Sequence, residues 1–320
     1  MAGMAMETVR LSPKITASDV VDLARYLGSF SRSTSPIVVD FNSVRHFELM
    51  PMTLLLGTVL GWAISEDKSV RLAVDPGCRV FPYMQRMNFF ERCGLSAPEY
   101  FTRRPSGKRF KEFAMVGSQG QVDAVAEEIA DCVVPWQAES FEPSETQCHG
   151  CVWYCVSELL LNAVQHSWSS GYVGCQYYPS KKSIQIAIAD HGRGIRASFK
   201  DSTYEDRAST DVDAIKLAVE PLVTRNRGLP GLMSENRGVG LAILRQLAQR
   251  SGGKFTLISG NAAMDNDYCF ELGEDCRYRG TFAAFEFKQA ELGENFERIL
   301  EEAKTYTDDF SHLDLEDMFT

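Results

Sequence analysis

A chain of 320 residues that is 44% hydrophobic, 24% charged and 11% aromatic has an ordinary globular composition and the length of about two domains, which excludes collagen-like, coiled-coil and wholly disordered classes. The net charge of −10 is concentrated in residues 291–320, where ten Asp or Glu meet only Arg298 and Lys304. With the acidity in a tail and no basic stripe elsewhere, direct nucleic-acid binding is not expected, because that affinity rests on Lys and Arg neutralising phosphates.

Taken in chain order, Ser18 to Phe30 spaces Val20, Val21, Leu23, Ala24 and Leu27 on one face of a helix behind a Ser cap. PIVVDF is a β-branched run of buried-strand type. Pro51 then sits in the first turn of a helix through MTLLLGTVLGWAIS, Ser69 to Asp75 reads as a second strand, and Cys78 to Cys93 as a further helix. Strand and helix alternating over so short a stretch imply crossovers on a small mixed or parallel sheet. The apolar stretch Met50 to Ile64 is interrupted by Pro51, Thr53, Gly57, Thr58 and Gly61 and falls short of the ~20 residues a bilayer span needs. No membrane helix is expected, and no basic region followed by an apolar one opens the sequence, so the cytoplasm is the expected location.

Between Pro98 and Lys111 the chain turns to RRPSGKR, a punctuating cluster without apolar periodicity, and the domain boundary is placed there: 1–106, then 107–290, then the acidic tail 291–320. Beyond it the pattern predicts helices over Val122 to Val134 and Thr146 to His166 and strands over Gly171 to Tyr178 and Ser183 to Ala189. Helices near Val212 to Val219 and Val239 to Gln249 follow, then strands Lys254 to Ile258 and Thr281 to Phe287. That order suits an α+β sandwich better than a doubly wound sheet.

Three segments of this second part carry chemistry. In ELLLNAVQH, Glu158 and Asn162 are four apart and share a helix face, where a carboxylate and an amide oxygen can hold hydrated magnesium or orient a water; read alone, they suit a solvated surface better. In IQIAIADHGRGI an apolar strand runs into Asp190, Gly192 and Gly194, so that a carboxylate able to accept from an exocyclic amine stands beside backbone that can approach a flat ligand; the plain alternative is a tight turn. Gly192, Gly194 and Ala197 also match the dinucleotide G-x-G-x-x-G/A spacing, but the polar stretch from Ser198 to Asp213 offers no second strand of that motif. In ENRGVGLAIL, Gly238 and Gly240 open an amphipathic helix whose exposed amides can bind an anion, or are merely capped by the loop before it. A G-x-x-x-x-G-K-S/T phosphate loop is absent, since Gly107-Lys108 and Gly253-Lys254 run on into Arg109 and Phe255.

E-x-x-x-N, D-x-G-x-G and G-x-G-L in this order, followed by GGKFTLIS and GTFAAFEF, resemble the GHKL ATPase superfamily of histidine kinases and anti-sigma-factor serine kinases over residues 120–288. The resemblance implies a GHKL (Bergerat) α+β sandwich binding ATP and magnesium, with Asn162 carrying the magnesium and Glu158 orienting or deprotonating the nucleophile. It further implies that Asp190 binds the adenine amine, Gly192 and Gly194 shape the base pocket, Gly238 and Gly240 line the phosphate lid, and Thr281 reaches the adenine-binding water. Gln165 and His166 depart from the basic or aromatic residues often found after the asparagine, and Arg225, Arg227 and Arg237 of the lid either meet the γ-phosphate or, for at least two of them, are solvated.

None of His46, His149, His166, His191 and His312 opens the phosphoacceptor pattern of a histidine kinase, so a classical enzyme of that kind is not expected. Residues 7–96 resemble the STAS domains of anti-sigma-factor antagonists, but the segment that carries the acceptor serine there reads Glu48, Leu49, Met50, Pro51, leaving Thr53 or Ser43 as substitutes. The implied protein is a two-domain α/β chain in which a STAS-like docking module is joined to an ATPase or serine/threonine kinase, an ATP-controlled partner switch that meets proteins through that module or the tail; a homodimer is compatible with it. Two alternatives stay open: a non-catalytic ATP-binding regulator, and a metal or redox sensor on Cys148, His149, Cys151 and Cys155. The nine cysteines, odd in number and spread along the chain, do not suggest a disulfide framework.

Overall fold

The computed structural model describes residues 6–106, 109–133, 143–166, 169–220, 223 and 240–288. In the first part, strands β1 (Glu7–Arg10), β3 (Ile37–Asp40) and β5 (Val70–Ala73) form a parallel sheet in the order β1-β3-β5. Parallel neighbours need crossovers, and helices α1 (Val20–Gly28) and α2 (Leu49–Leu60) supply them. Strands β2 (Lys14–Ile15) and β4 (His46–Phe47) make a second, two-residue parallel pairing. Ahead of α1, Thr16 and Asp19 form a capping box, with the Thr16 amide donating to Asp19 Oδ2 at 2.7 Å.

The expected single helix from Cys78 to Cys93 is two short ones, α3 (Phe81–Arg86) and α4 (Phe89–Arg92). Asn88 between them takes φ 60°, a left-handed conformation that asparagine tolerates and that ends an α-helix.

Among the described residues the second part is built on a seven-stranded antiparallel sheet in the order β11-β10-β9-β12-β8-β7-β6. Its strands are β6 (Phe110–Val116), β7 (Gly171–Tyr178), β8 (Ser183–Asp190), β9 (Lys254–Gly260), β10 (Ala262–Asp265), β11 (Tyr268–Glu271) and β12 (Tyr278–Lys288). Helices α5 (Val122–Val133), α6 (Pro143–His166), α7 (Ile195–Ser198), α8 (Asp211–Ala218) and α9 (Gly240–Arg250) complete it. Because side chains alternate along a strand, the central strands are apolar on both faces. Ile186, Ile188, Ala283, Phe285 and Phe287 meet Val156 and Leu160 of α6 and Leu244 and Leu247 of α9, while Ala187, Ala189, Phe282 and Ala284 face the opposite way.

That opposite face is covered by α2. All twelve of its residues are buried, and its neighbours are β7, β8 and β12 on one side and α1 on another. A helix apolar all round belongs inside a protein, which explains the unbroken apolar run from Met50. Thr53 and Thr58 remain compatible with it because their hydroxyls donate back to Leu49 O and Leu54 O, each at 2.9 Å. No described helix is long and apolar enough to cross a membrane.

A buried polar cluster pins the start of α2 to the sheet. Glu48, 1% exposed, accepts from the Ala17 amide at 3.0 Å, Lys181 Nζ at 2.6 Å and Gln185 Nε2 at 2.9 Å. The same Gln185 nitrogen donates to Glu286 Oε2 at 2.9 Å, so one amide joins two carboxylates. Burial pushes the Glu48 carboxyl up, but Lys181, Gln185, the Ala17 amide and His46 together hold it below its ordinary value.

Candidate functional site

Helix α6 packs on the sheet through Val152, Val156 and Leu160. On it Glu158 is buried at 4% exposure, whereas Asn162, one turn further on, is exposed. Gly171 fixes where this turn lies: a Cβ there would stand 3.0 Å from Ala163 Cβ and 3.6 Å from Leu160 Cδ2. Gly171 is also the register partner of Asp190. The turn of α6 that carries Asn162 therefore sits over the end of β8, and two motifs far apart in sequence meet there.

Asp190 is the last residue of β8 and is 5% exposed. The Gly192 amide donates to its Oδ1 at 2.8 Å, and Thr281 donates to the same carboxyl from its amide and its hydroxyl. Burial pushes the group up from 3.8 to about 7 against the opposing pull of these donors. His191 next to it is also buried, and burial, with Arg279 nearby, lowers its basicity; its ring lies 6.2 Å from that of Tyr172.

The loop after Asp190 needs its glycine. Gly194 has φ +82°, and a Cβ on it would lie 2.8 Å from Ser259 Oγ. That hydroxyl accepts from the Ile195 amide at 2.9 Å and donates to Gly280 O at 2.8 Å, so Ser259 of β9 staples the loop to β12. Gly280 has φ +88°, and a Cβ there would come within 2.2 Å of Asp190 O. A buried carboxyl with fixed donors on one side keeps acceptor capacity for an exocyclic amine such as that of an aromatic base.

Of the residues singled out from sequence, Asp190, Gly192 and Thr281 are joined directly, Gly194 lies against their support, and Glu158 and Asn162 approach from α6. Gly240 is the first residue of α9, which packs beside α6. Gly238, Arg225, Arg227 and Arg237 lie outside the described residues, as does the acidic tail. Ser259, Gly280 and Tyr278 were not singled out. Ser259 looks like any strand serine, although Gly280 was available as the first residue of the closing Gly-Thr.

Thr53 and Ser43, the substitute phosphoacceptors, are both engaged: Thr53 is fully buried, and Ser43 Oγ donates to Leu11 O at 2.8 Å. In the cysteine-rich turn, the side chains of Cys148, Cys151 and Cys155 lie outside the described residues. His149 turns to α5, with Nε2 3.2 Å from Asp131 Oδ1 and 3.7 Å from Glu127 Oε1. Among the described residues these three are the only cluster of metal-ligating type, with Glu127 exposed and Asp131 and His149 half-buried.

In the C-terminal part of this mixed α/β chain, a seven-stranded antiparallel sheet packed against α6 and α9 carries a buried Asp-x-Gly-x-Gly turn closed by a Gly-Thr strand, an arrangement consistent with a GHKL-type ATPase domain. Residues 152–291 match the family model of the histidine kinase-, DNA gyrase B- and HSP90-like ATPases, which supports ATP binding by this domain. The match spans α6 from Val152 through β12 and leaves the first part of the chain outside it. No curated protein and no solved structure matches the chain.

Proposed function

We propose that the protein is a magnesium-dependent ATPase or serine/threonine protein kinase of the GHKL type, acting as an ATP-controlled switch for protein partners. The observation that carries this reading is the Asp190 carboxyl, buried at a strand end with Gly192 and Thr281 as fixed donors. In it Asp190 accepts the adenine amine, and Gly192 and Gly194 shape the base pocket. Asn162, exposed on α6, is the residue that would hold magnesium, which when bound neutralises phosphate charge. Glu158, buried one turn earlier, orients or deprotonates the attacking hydroxyl or water. Gly238 and Gly240 line the phosphates at the start of α9.

In the same reading residues 1–106 form a STAS-like docking and regulatory unit, 107–290 the ATP-binding domain, and 291–320 a partner-binding tail. The parallel β1-β3-β5 sheet with its α1 and α2 crossovers supports a compact docking module. With Glu48 buried at the head of α2 and Thr53 fully covered, this module works without being phosphorylated there.

The test is incubation of the purified protein with magnesium and γ-labelled ATP, with ADP release and protein labelling measured for the wild type and for Glu158→Gln. Turnover lost in the variant supports an enzyme, and label retained on protein makes it a kinase. ATP binding without turnover would replace the enzyme by a nucleotide-gated regulator, and absence of ATP binding would overturn the reading.

A further inference from the structure

Strand β12 enters the sheet with an irregularity. Tyr278 pairs with Gly260 and Thr281 with Ser259, so Arg279 and Gly280 are extra residues on that strand. Such bulges re-aim side chains and recur beside functional sites. Here the bulge turns both flanking residues onto Asp190. Thr281 donates to its carboxyl, and Tyr278 Oη lies 3.5 Å from its carbonyl oxygen, at the outer limit of a hydrogen bond.

Tyr278 is 5% exposed and belongs to the apolar core centred on α2. Its hydroxyl lies against Gly57 of that helix: a Cβ on Gly57 would stand 2.2 Å from Tyr278 Oη and 2.9 Å from Ala189 Cβ. One turn on, a Cβ on Gly61 would lie 3.7 Å from His191 Cβ and 3.6 Å from Arg279 Cβ. The first part of the chain thus touches the residues on both sides of Asp190 in β8 and its loop, and both the tyrosine and the arginine of the bulge.

We propose that Tyr278 is a positioning residue for the base-binding carboxyl of Asp190, and that α2 sets its place through Gly57, making the N-terminal part of the chain a component of the nucleotide pocket. This rests on the reading of Asp190 as the adenine acceptor. Tyr278 acts on the backbone of Asp190 while Thr281 acts on its side chain, so a displacement of α2 is felt at the base. Linkage then runs both ways: a partner that shifts α2 changes nucleotide affinity, and nucleotide changes partner affinity by the same factor.

The experiment uses the full chain with Tyr278→Phe, Gly57→Ala, the double variant and Asp190→Asn. ADP and GDP affinities are measured by calorimetry between pH 6 and 8, and folding is checked by circular dichroism. The groups facing Asp190 in that window are Tyr278 and Thr281, with His191 next to it in the chain and Arg279 beside that histidine. Tyr278→Phe is expected to stay folded, to weaken ADP by about threefold to tenfold, the worth of one hydrogen bond, and to narrow the preference for ADP over GDP. Gly57→Ala is expected to weaken ADP by about tenfold or more, and removal of the hydroxyl in the double variant to recover part of that loss. A folded Tyr278→Phe protein whose ADP affinity and base preference stay within twofold of wild type overturns the proposal, whatever the fate of Gly57→Ala. A wild-type protein that binds no ADP, or an Asp190→Asn protein that binds it unchanged, overturns the adenine reading instead.

Discussion

Replacing Asp190 by Asn is expected to make the nucleotide-free protein more stable at pH 8 while removing its affinity for adenine nucleotide. The carboxyl is driven up from 3.8 to about 7 by burial. The unfolded chain therefore loses this proton first. Between pH 3.8 and about 7 the folded protein holds one proton more than the unfolded one, and this group's contribution to stability falls by about 1.36 kcal/mol per pH unit. The contribution is complete below the unfolded value, is lost as pH rises through the folded value, and is constant above it. Over the roughly three units involved the loss is about 4 kcal/mol, and 5% exposure leaves little solvent to screen it. Asn keeps an acceptor for the Gly192 amide and has nothing to ionise. Urea unfolding followed by tryptophan fluorescence at pH 5 and pH 8 measures the effect: the wild type should lose about 3 kcal/mol more than the variant across this interval. Tyr278, which feels the Asp190 charge, and the neighbouring His191 with Arg279 beside it are present in both proteins, so their own titrations largely cancel in the comparison. Parallel pH profiles for the two proteins would refute the argument that burial holds the Asp190 proton.

The same shift gives ADP binding a proton signature. At pH 6 an amine bound to Asp190 should expel close to one proton, read as a dependence of the calorimetric enthalpy on buffer ionisation, and that dependence should fade by pH 8.5. Gln185→Leu leaves Glu48 and Glu286 without their shared donor and should cost about 3 kcal/mol in urea unfolding at pH 7. Because Glu48 is held below its ordinary value, its contribution is present above pH 4.5 and is lost as pH falls, so the penalty of Gln185→Leu should shrink in acid. Ser259→Ala frees the loop after Asp190 from β12; it should lower stability by about 1 to 2 kcal/mol and weaken ADP several-fold, with unchanged affinity showing that the staple does not hold the pocket.

The parts of the site visible in the sequence are those set by neighbours along the chain. A carboxylate and an amide four apart on α6, and an apolar strand that runs into Asp190 and two glycines, are legible because helix pitch and strand alternation are local. Strands β7 and β8 were expected almost to the residue for the same reason. Strand β6 goes unseen, its first two residues falling in the boundary segment and its other five assigned to no element, because at the sheet edge it is half exposed and FKEFAMV mixes charges with apolar residues. The hairpin of β10 and β11, turning at Asn266 with φ +53°, is too short to show a period. The bulge at Arg279 and Gly280 was illegible in a different sense: it exists only relative to the register of β9, and nothing in YRGTF alone says which two residues are extra. Helix α2 was expected as a helix, but an apolar run does not say what covers it.

That covering has a consequence for synthesis. The polypeptide leaves the ribosome N-terminus first, so α1, α2 and the three parallel strands are complete while β8 and β12 are still unmade. Until β7 and β8 arrive, the face of α2 that ends up on the sheet has nothing to lie on, and until β12 follows with Tyr278 it is only partly covered. The nascent chain must therefore carry an uncovered apolar helix through most of its translation, the sort of surface that chaperones bind. Protease resistance in residues 6–93 should appear only once β12 has emerged, as a late event and not as the early folding of a free-standing N-terminal module.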